Sequence, residues 1–222
     1  MMIARELLLL LYLLILIFGW SRRKELGDSI NYFLTAILVN TVVEVVGHFR
    51  LPGVFPYLGM IYAVFVLGIT VCLFIYYFKK LALSQLFKRL HSILLLMNLL
   101  TVIFGLIFNP EFRQTLKGWP LYTCFCLLII SIVLFLYELY NSDIILNIRT
   151  YYPFYVAFGL LFIYVGIFPV MYFRFHINSE IDQKIFDILL FSVNIIGYSG
   201  ILVGIFLARK LESPKIGHGI HR

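Results

Sequence analysis

The chain has 222 residues, of which 62% are hydrophobic and 13% are charged, and its formal net charge is +7. Soluble domains carry about 25% charged residues, so this chain lacks the polar residues that would cover a water-soluble fold. The composition therefore excludes a water-soluble protein and indicates a membrane protein, for which lipid is the solvent.

Seven apolar stretches fill the chain, and each approaches or exceeds the roughly 20 residues that a membrane-spanning helix needs. The predicted spans are residues 3–20, 29–49, 57–78, 90–109, 119–140, 151–173 and 185–208. Backbone groups in lipid must pair within the protein, so we predict an all-α, polytopic integral membrane protein, with a seven-transmembrane-helix bundle in residues 1–211. Residues 212–222 contain Ser213-Pro214 and are expected to form a flexible cytoplasmic tail.

The first span has an alternative interpretation as a cleaved signal peptide, because Arg5 precedes its apolar core. A signal peptide ends in a small-residue cleavage site, whereas this span is followed by Ser21-Arg22-Arg23-Lys24. We therefore expect residues 3–20 to stay in the protein as a helix.

Basic residues lie unevenly on the two sides of the predicted bundle. One side carries twelve of the 18 Lys and Arg residues, and the other carries six. The twelve are Arg22, Arg23, Lys24, Lys79, Lys80, Lys88, Arg89, Arg149, Arg209, Lys210, Lys215 and Arg222. The positive-inside rule places that side in the cytoplasm, with the N-terminus outside and the C-terminus inside. Basic loops beside anionic lipid account for the net charge, so no nucleic-acid partner is predicted.

Two connections on the basic side carry helical patterns. Residues 79–89 are predicted to form either an interfacial turn or an extension of the adjacent spans. In residues 141–150, Ser142 and Asp143 are candidates to cap a short helix.

One polar stripe interrupts the second span. Asn40, Glu44 and His48 are four residues apart, so they share one face of the helix. A charged residue inside a membrane helix costs about 2.5–3.5 kcal/mol on insertion scales, and such residues face the bundle interior or a wet cavity. The stripe therefore predicts a ligand-binding pocket or a proton-responsive site in the outer leaflet. The alternative interpretation is an interhelical hydrogen-bond clamp.

Other spans offer partners for this stripe. Tyr62 in the third span and Tyr164 in the sixth are predicted at a depth similar to that of Glu44. In the seventh span, Asp187 lies near the outer end and Asn194 lies deeper. These four residues complete the predicted ligand-binding or proton-sensing site.

Several polar or small residues are predicted to serve packing. Gly200 and Gly204 form a small-xxx-small pattern that permits close approach of another helix. Asn98 and Thr101 lie three residues apart in the fourth span and are expected to join helices. Glu138 ends the fifth span and is expected at the membrane interface rather than in a site.

Catalytic and metal chemistry has no motif in this sequence. HExxH, the phosphate-binding Gly-Lys-Ser/Thr loop and the Gly-x-Ser-x-Gly elbow are all absent. Cys72, Cys124 and Cys126 lie inside spans and form no ligand pattern, and His218 and His221 are only a weak metal signal. The sequence therefore predicts no enzyme activity, no catalytic residue, no metal site and no cofactor.

Several short motifs lie in the second half of the chain: Tyr137-Glu138-Leu139, Tyr152-Pro153-Phe154, Gly159-Leu160, Tyr164 and Gly166. Together with the acid in the second span, they resemble a family of uncharacterised bacterial seven-helix membrane proteins of similar length. The resemblance implies a sensory or signalling module in the bacterial inner membrane, and it implies no catalytic residue.

Three functions remain open from the sequence. The first is a receptor-like sensor that binds a small ligand or protons at the stripe and acts through a separate cytoplasmic partner. The second is a transporter or channel, including a homo-oligomeric pore, with Glu44 as an ion or proton site. The third is a structural subunit of a membrane complex.

Overall fold

The computed structural model describes residues 2–49, 57–176 and 180–208, without the side chains of 2–5, 48, 147, 172–176, 180–184, 186 and 187. Each of the seven predicted segments is helical, and the described residues contain no strand. The helices are α1 (Met2–Ser21), α2 (Ile30–Phe49), α3 (Leu58–Leu81), α4 (Gln85–Phe108), α5 (Trp119–Tyr140), α6 (Tyr152–His176) and α7 (Glu180–Leu207). The predicted tail, 212–222, lies outside the described residues.

Six helices, α2 to α7, are long and apolar enough to cross a membrane. The described apolar part of α1, Glu6–Ser21, is shorter. The chain is therefore a helical bundle of the kind that integral membrane proteins form, and the membrane crossing of α1 stays a prediction.

The helices form a ring that closes on itself. Around the ring α1 packs on α2, α2 on α3, α3 on α5, α5 on α6, α6 on α7 and α7 on α1. Helix α4 packs outside this ring, against α3 and α5, and many of its large apolar side chains are exposed. We call the end of the bundle with Arg22, Lys79, Lys88 and Arg149 the basic end, and the opposite end the far end.

Short helices fill three of the connections. One is Arg23–Leu26, and another is Pro110–Thr115, which Asn109 caps by accepting a hydrogen bond from the N–H of Phe112. The third, Asp143–Thr150, is a 3₁₀-helix where a short helix was predicted. Ser142 does not cap it, because its hydroxyl donates to the carbonyl of Leu139 at 2.8 Å instead.

The connection between α3 and α4 extends the fourth helix rather than forming a separate interfacial turn. Helix α4 begins at Gln85, five residues before the predicted span, and Ser84 caps it by accepting a bond from the N–H of Phe87 at 3.3 Å. Basic side chains on the first turn of α4 do not end the helix, because their long apolar stems can reach past its surface to water.

Helix α3 contains a segment that no sequence pattern predicted. Residues Tyr62–Thr70 are a π-helix, set between α-helical turns at Leu58–Ile61 and Val71–Leu81. The side-chain amide of Asn98 on α4 donates to the carbonyl of Leu67 within this segment at 2.9 Å. Asn98 therefore joins α3 to α4, as its predicted packing role requires.

Glycines bring α6 and α7 together, and this pair shares the most extensive contact in the bundle. A Cβ atom on Gly159 would lie 2.6 Å from the carbonyl oxygen of Gly197, so the two backbones touch there. A Cβ on Gly204 would lie 2.2 Å from the Cβ of Tyr155. Of the predicted pair, Gly204 thus faces α6, whereas Gly200 has no described atom within 4 Å of its Cβ position. Gly200 therefore takes no part in this contact, which Gly159, Gly197 and Gly204 make instead.

Candidate functional site

The carboxylate of Glu44 meets α3 inside the bundle. Its Oε1 accepts a hydrogen bond from the Tyr62 hydroxyl at 3.0 Å. Glu44 is half-buried and lies five residues before the end of α2 at Phe49, about 7.5 Å along the helix axis. The acid and its phenol partner therefore sit inside the far-end half of the bundle, where α2 packs against the π-helix.

Asn40 lies one turn deeper than Glu44 on the same face of α2, as predicted. It is 6% exposed, and its Oδ1 has no hydrogen-bond partner among the described residues. Its side-chain amide lies beside the hydroxyl of Tyr198 on α7. An unpaired buried acceptor costs about 1–3 kcal/mol.

Tyr12 of α1 completes the wall of the site, and its role was not predicted. The rings of Tyr12 and Tyr198 meet edge to face with centroids 4.7 Å apart, and their hydroxyls lie close to each other. Both phenols are also close enough to Glu44 to interact with its charge. The contact between α1 and α7 that closes the ring brings these two phenols to Asn40 and Glu44 on α2.

The other predicted residues differ in placement. Tyr164 on α6 is buried and lies near Tyr198, so it borders the cluster. Asn194 is buried too, but its amide donates to the carbonyl of Leu190 in its own helix at 2.7 Å. The side chains of His48 and Asp187 lie outside the described residues. We call the set Tyr12, Asn40, Glu44, Tyr62, Tyr164 and Tyr198 the far-end cluster.

An apolar layer lies between the far-end cluster and the basic end. On α2 it contains Phe33 and Ile37, and on α3 it contains Val71 and Phe74. All four side chains are 0% exposed. The ring is thus filled by hydrocarbon at this level, and the far-end cluster is separated from the polar groups of the basic end.

At the basic end the second buried acid, Glu138, caps a helix. Its Oε1 accepts a hydrogen bond from the backbone N–H of Ser84 at 2.6 Å, directly before α4 begins. Glu138 lies two residues before the end of α5, as predicted, and is buried between helices. A carboxylate at a helix start satisfies a free N–H and favours the helix dipole.

Arg22 joins the end of α1 to the end of α7 at the basic end. Its guanidinium donates to the carbonyls of Ile205, Phe206 and Ala208 at the end of α7, the last at 2.7 Å. It also pairs with Glu25 at 2.7 Å. One side chain therefore satisfies the free carbonyls that terminate α7 and fastens that helix to the end of α1.

His91 and Tyr152 make the remaining polar contacts of the basic end. The Nδ1 of buried His91 lies 2.7 Å from the carbonyl of Phe87, and its Nε2 lies 3.2 Å from that of Ser131 on α5. The hydroxyl of Tyr152 lies 3.3 Å from that of Ser29. Burial raises the pKa of the neighbouring Tyr151 well above its usual range, so this phenol remains neutral. We call Arg22, Ser29, Ser84, His91, Glu138 and Tyr152 the basic-end network.

Metal ligands are not clustered in the part of the chain that the structure describes, where no group of three His, Cys, Asp or Glu side chains converges. Cys72 lies 3.3 Å from the side-chain amide of Asn98, and Cys124 is buried. The far-end cluster thus combines one carboxylate, one amide and four phenols, which can exchange protons or hydrogen-bond to a small polar ligand.

Comparison with known proteins finds no family model, no curated protein and no solved structure that matches this chain. The resemblance to uncharacterised bacterial seven-helix proteins, and the bacterial inner membrane it implies, therefore stay predictions from sequence.

Proposed function

We propose that the protein is a non-enzymatic membrane sensor in which the far-end cluster responds to protons. The observation that carries the proposal is the Tyr62–Glu44 hydrogen bond within the bundle, beside an Asn40 oxygen without a partner in the described part of the chain. The groups near Glu44 on the packed helices are Tyr12 of α1, Tyr62 of α3 and Tyr198 of α7. Tyr62 bonds to Glu44 and Tyr12 contacts Tyr198, so a proton needs no preformed cavity, whereas a small ligand would have to separate these side chains.

Helix α3 is the element through which the cluster would act on the basic end. Tyr62 is the first residue of the π-helix, and the last turn of α3 carries Lys79 and Lys80. Short π-helical segments occur frequently at functional sites. A switch between π and α geometry would move the following residues by one position, about 100° of rotation. Protonation of Glu44 weakens its role as acceptor for Tyr62 and would favour that switch.

The apolar layer favours a sensor over a transporter or a channel. Ions cross hydrocarbon only at high cost, and Phe33, Ile37 and Phe74 fill the ring between the cluster and the basic end. A transporter would have to open this layer during its cycle. A sensor can keep it closed, because only the movement of α3 has to reach the other side.

The topology belongs to the same proposal. We infer seven spans, with the N-terminus and the far-end cluster outside and the basic end in the cytoplasm, because the positive-inside rule and α1 together require it. Single cysteines at Glu111 and Leu146, in a chain without native cysteines, test this with a membrane-impermeant thiol reagent. Labelling of Glu111→Cys from outside and of Leu146→Cys only in opened membranes is expected. The reverse pattern contradicts the orientation.

Infrared difference spectroscopy tests the proton site directly. A step across the range in which carboxyl groups titrate should give a protonated-carboxyl band from a buried acid. We expect this band to disappear in Glu44→Gln and to persist in Glu111→Gln, which removes an exposed acid of the far end. A band that survives in Glu44→Gln contradicts the proposed site.

Reconstitution in liposomes separates the sensor from its alternatives. If the protein is a sensor, we expect no proton or ion flux through the unaltered protein. A flux that disappears in Glu44→Gln would establish a transporter or channel instead. If Glu44→Gln lowers only the thermal stability and changes neither the band nor any flux, Glu44 is an interhelical clamp, as in a structural subunit.

A further inference from the structure

A groove runs along the membrane-facing side of the bundle between α3 and α4. Its volume is about 480 Å³, and its lining extends on α3 from Val64 to Tyr76, about 18 Å along the helix. Apart from the Cys72 thiol and the Tyr76 hydroxyl, the side chains of the lining are hydrocarbon. From α4, Leu99 borders the groove and is 40% exposed, so the groove opens toward lipid.

The groove lies beside the contact between α3 and α4. Asn98 holds α4 to the π-helix through the carbonyl of Leu67, on the buried side of the contact. Gly68 leaves the other side open, since a Cβ there would meet nothing closer than 3.6 Å. A substituent on Gly68 or Leu99 can therefore enter the groove without meeting backbone at a forbidden distance.

Positive charge stands at the basic-end mouth of the groove. Tyr76 lines the groove, and the ammonium groups of Lys80 and Lys79 lie 5.4 and 5.6 Å from the centroid of its ring. The ring of Tyr32 on α2 packs edge to face on Tyr76 with centroids 4.7 Å apart, which fixes the phenol. Among the described residues neither lysine pairs with a carboxylate, so both ammonium groups can bind an anion.

We propose that this groove binds an anionic phospholipid, with one acyl chain between α3 and α4 and the phosphate against Lys79 and Lys80. The apolar lining matches the chain, and the paired ammonium groups match the negative charge of the headgroup. Anionic lipids are drawn to basic residues at a membrane surface, and a groove beneath them adds a fixed place for the acyl chain. This site is separate from the far-end cluster and does not depend on the sensing role.

The test measures lipid binding to the purified full-length protein in detergent by native mass spectrometry. Phosphatidylglycerol and phosphatidylcholine with identical acyl chains are the two probes. We expect phosphatidylglycerol to bind about ten-fold more tightly, because each nearby basic residue favours an anionic headgroup. The double variant Lys79→Gln/Lys80→Gln should bind both lipids equally. The control Arg23→Gln/Lys24→Gln removes the same charge from exposed residues of the same end and should keep the preference.

Variants that fill the groove test the acyl chain. Leu99→Trp and Gly68→Leu should each lower binding of both lipids several-fold, and Leu99→Trp changes only a membrane-facing side chain. An equal loss of preference in the Arg23/Lys24 control would overturn the site in favour of diffuse surface charge. Undiminished binding in both filling variants would overturn it too. So would a dimer that Leu99→Trp dissociates, because the occupant would then be a second copy of the chain.

Discussion

At the basic end Glu138 accepts a hydrogen bond from the backbone N–H of Ser84, whereas in the far-end cluster Glu44 accepts one from the phenol of Tyr62. The first bond pairs the N–H that precedes α4, which would have no partner without Glu138. The second joins two side chains that lie at least one turn inside their helices, where the backbone is already paired. Glutamate thus stabilises a helix end in the basic-end network, whereas in the far-end cluster it is available for a role other than folding.

The remaining groups of the two regions follow this contrast. In the basic-end network Arg22 serves three carbonyls, and both ring nitrogens of His91 face carbonyl oxygens. In the far-end cluster the partners are side chains instead: Tyr62 bonds to Glu44, and the amide of Asn40 lies beside the hydroxyl of Tyr198. Groups held by backbone atoms keep their positions as long as the helices persist, whereas contacts between side chains can be rearranged by a proton or a ligand.

The largest expected effect breaks the frame that both regions share. Gly159→Ala places a Cβ 2.6 Å from the carbonyl oxygen of Gly197 and should destabilise the bundle by about 3 kcal/mol, since α6 and α7 must separate. Gly200→Ala is the matched control and should be neutral or gain up to about 1 kcal/mol, because Ala favours helix and the space is open. Unfolding in mixed detergent micelles measures both. Equal effects would contradict the assigned seam.

The next effect tests the supporting role of the basic-end network. Glu138→Ala leaves the N–H of Ser84 unpaired at the start of α4 and should cost about 2–3 kcal/mol in the same unfolding assay. Glu111→Ala removes an exposed acid from the first turn of a short helix and should cost less than about 0.5 kcal/mol. A similar small cost for Glu138→Ala would remove the distinction between the two regions.

A pair of asparagine variants should differ in their effect on stability. Asn98→Leu removes the bond to the backbone carbonyl of Leu67 and should destabilise the protein by about 1–2 kcal/mol. Asn40→Leu removes a contact with the Tyr198 hydroxyl, which keeps Tyr12 as a neighbour, and should cost less than about 1 kcal/mol. We expect Asn40→Leu nevertheless to lose the proton response. Destabilisation by Asn40→Leu equal to that by Asn98→Leu would show that Asn40 serves packing.

The effect expected at Tyr62 is small for stability and large for the movement of the basic end. Tyr62→Phe removes one hydroxyl and keeps the ring, so it should cost about 0.5–1 kcal/mol in unfolding. We expect it nevertheless to abolish the movement of the basic end that follows protonation of Glu44. Retention of that movement in Tyr62→Phe would place the relay elsewhere than the π-helix.

The helices could be predicted closely because apolar length alone determines what crosses a membrane. Helix α4 begins before the predicted span because hydrophobic length marks the lipid-facing part of a helix, whereas Ser84 and the bond to Glu138 determine where the helical backbone begins. The short helix after Asn109 could have been found, since Asn followed by Pro110 is a typical helix start. The π-helix has no comparable residue pattern.

The site was predicted in part. Asn40 and Glu44 share a face through helical periodicity alone, and Tyr62 was expected near them from its depth. Tyr12 could not be found, because its position depends on the closure of the ring between α1 and α7. For the same reason the sequence could not separate Asn194, which bonds to its own helix, from Tyr198, which faces the cluster.

The most direct test of the proposed sensor measures whether the far-end cluster moves the basic end. Spin labels are attached at the exposed positions Leu83 and Leu146, in a chain without native cysteines. Pulsed electron paramagnetic resonance then records the distance between the labels across the pH range in which carboxyl groups titrate. We expect a shift in the distance distribution that Glu44→Gln abolishes and Glu111→Gln retains. A distribution that stays constant in the unaltered protein, or one that still shifts in Glu44→Gln, would contradict a coupling between the far-end cluster and the basic end.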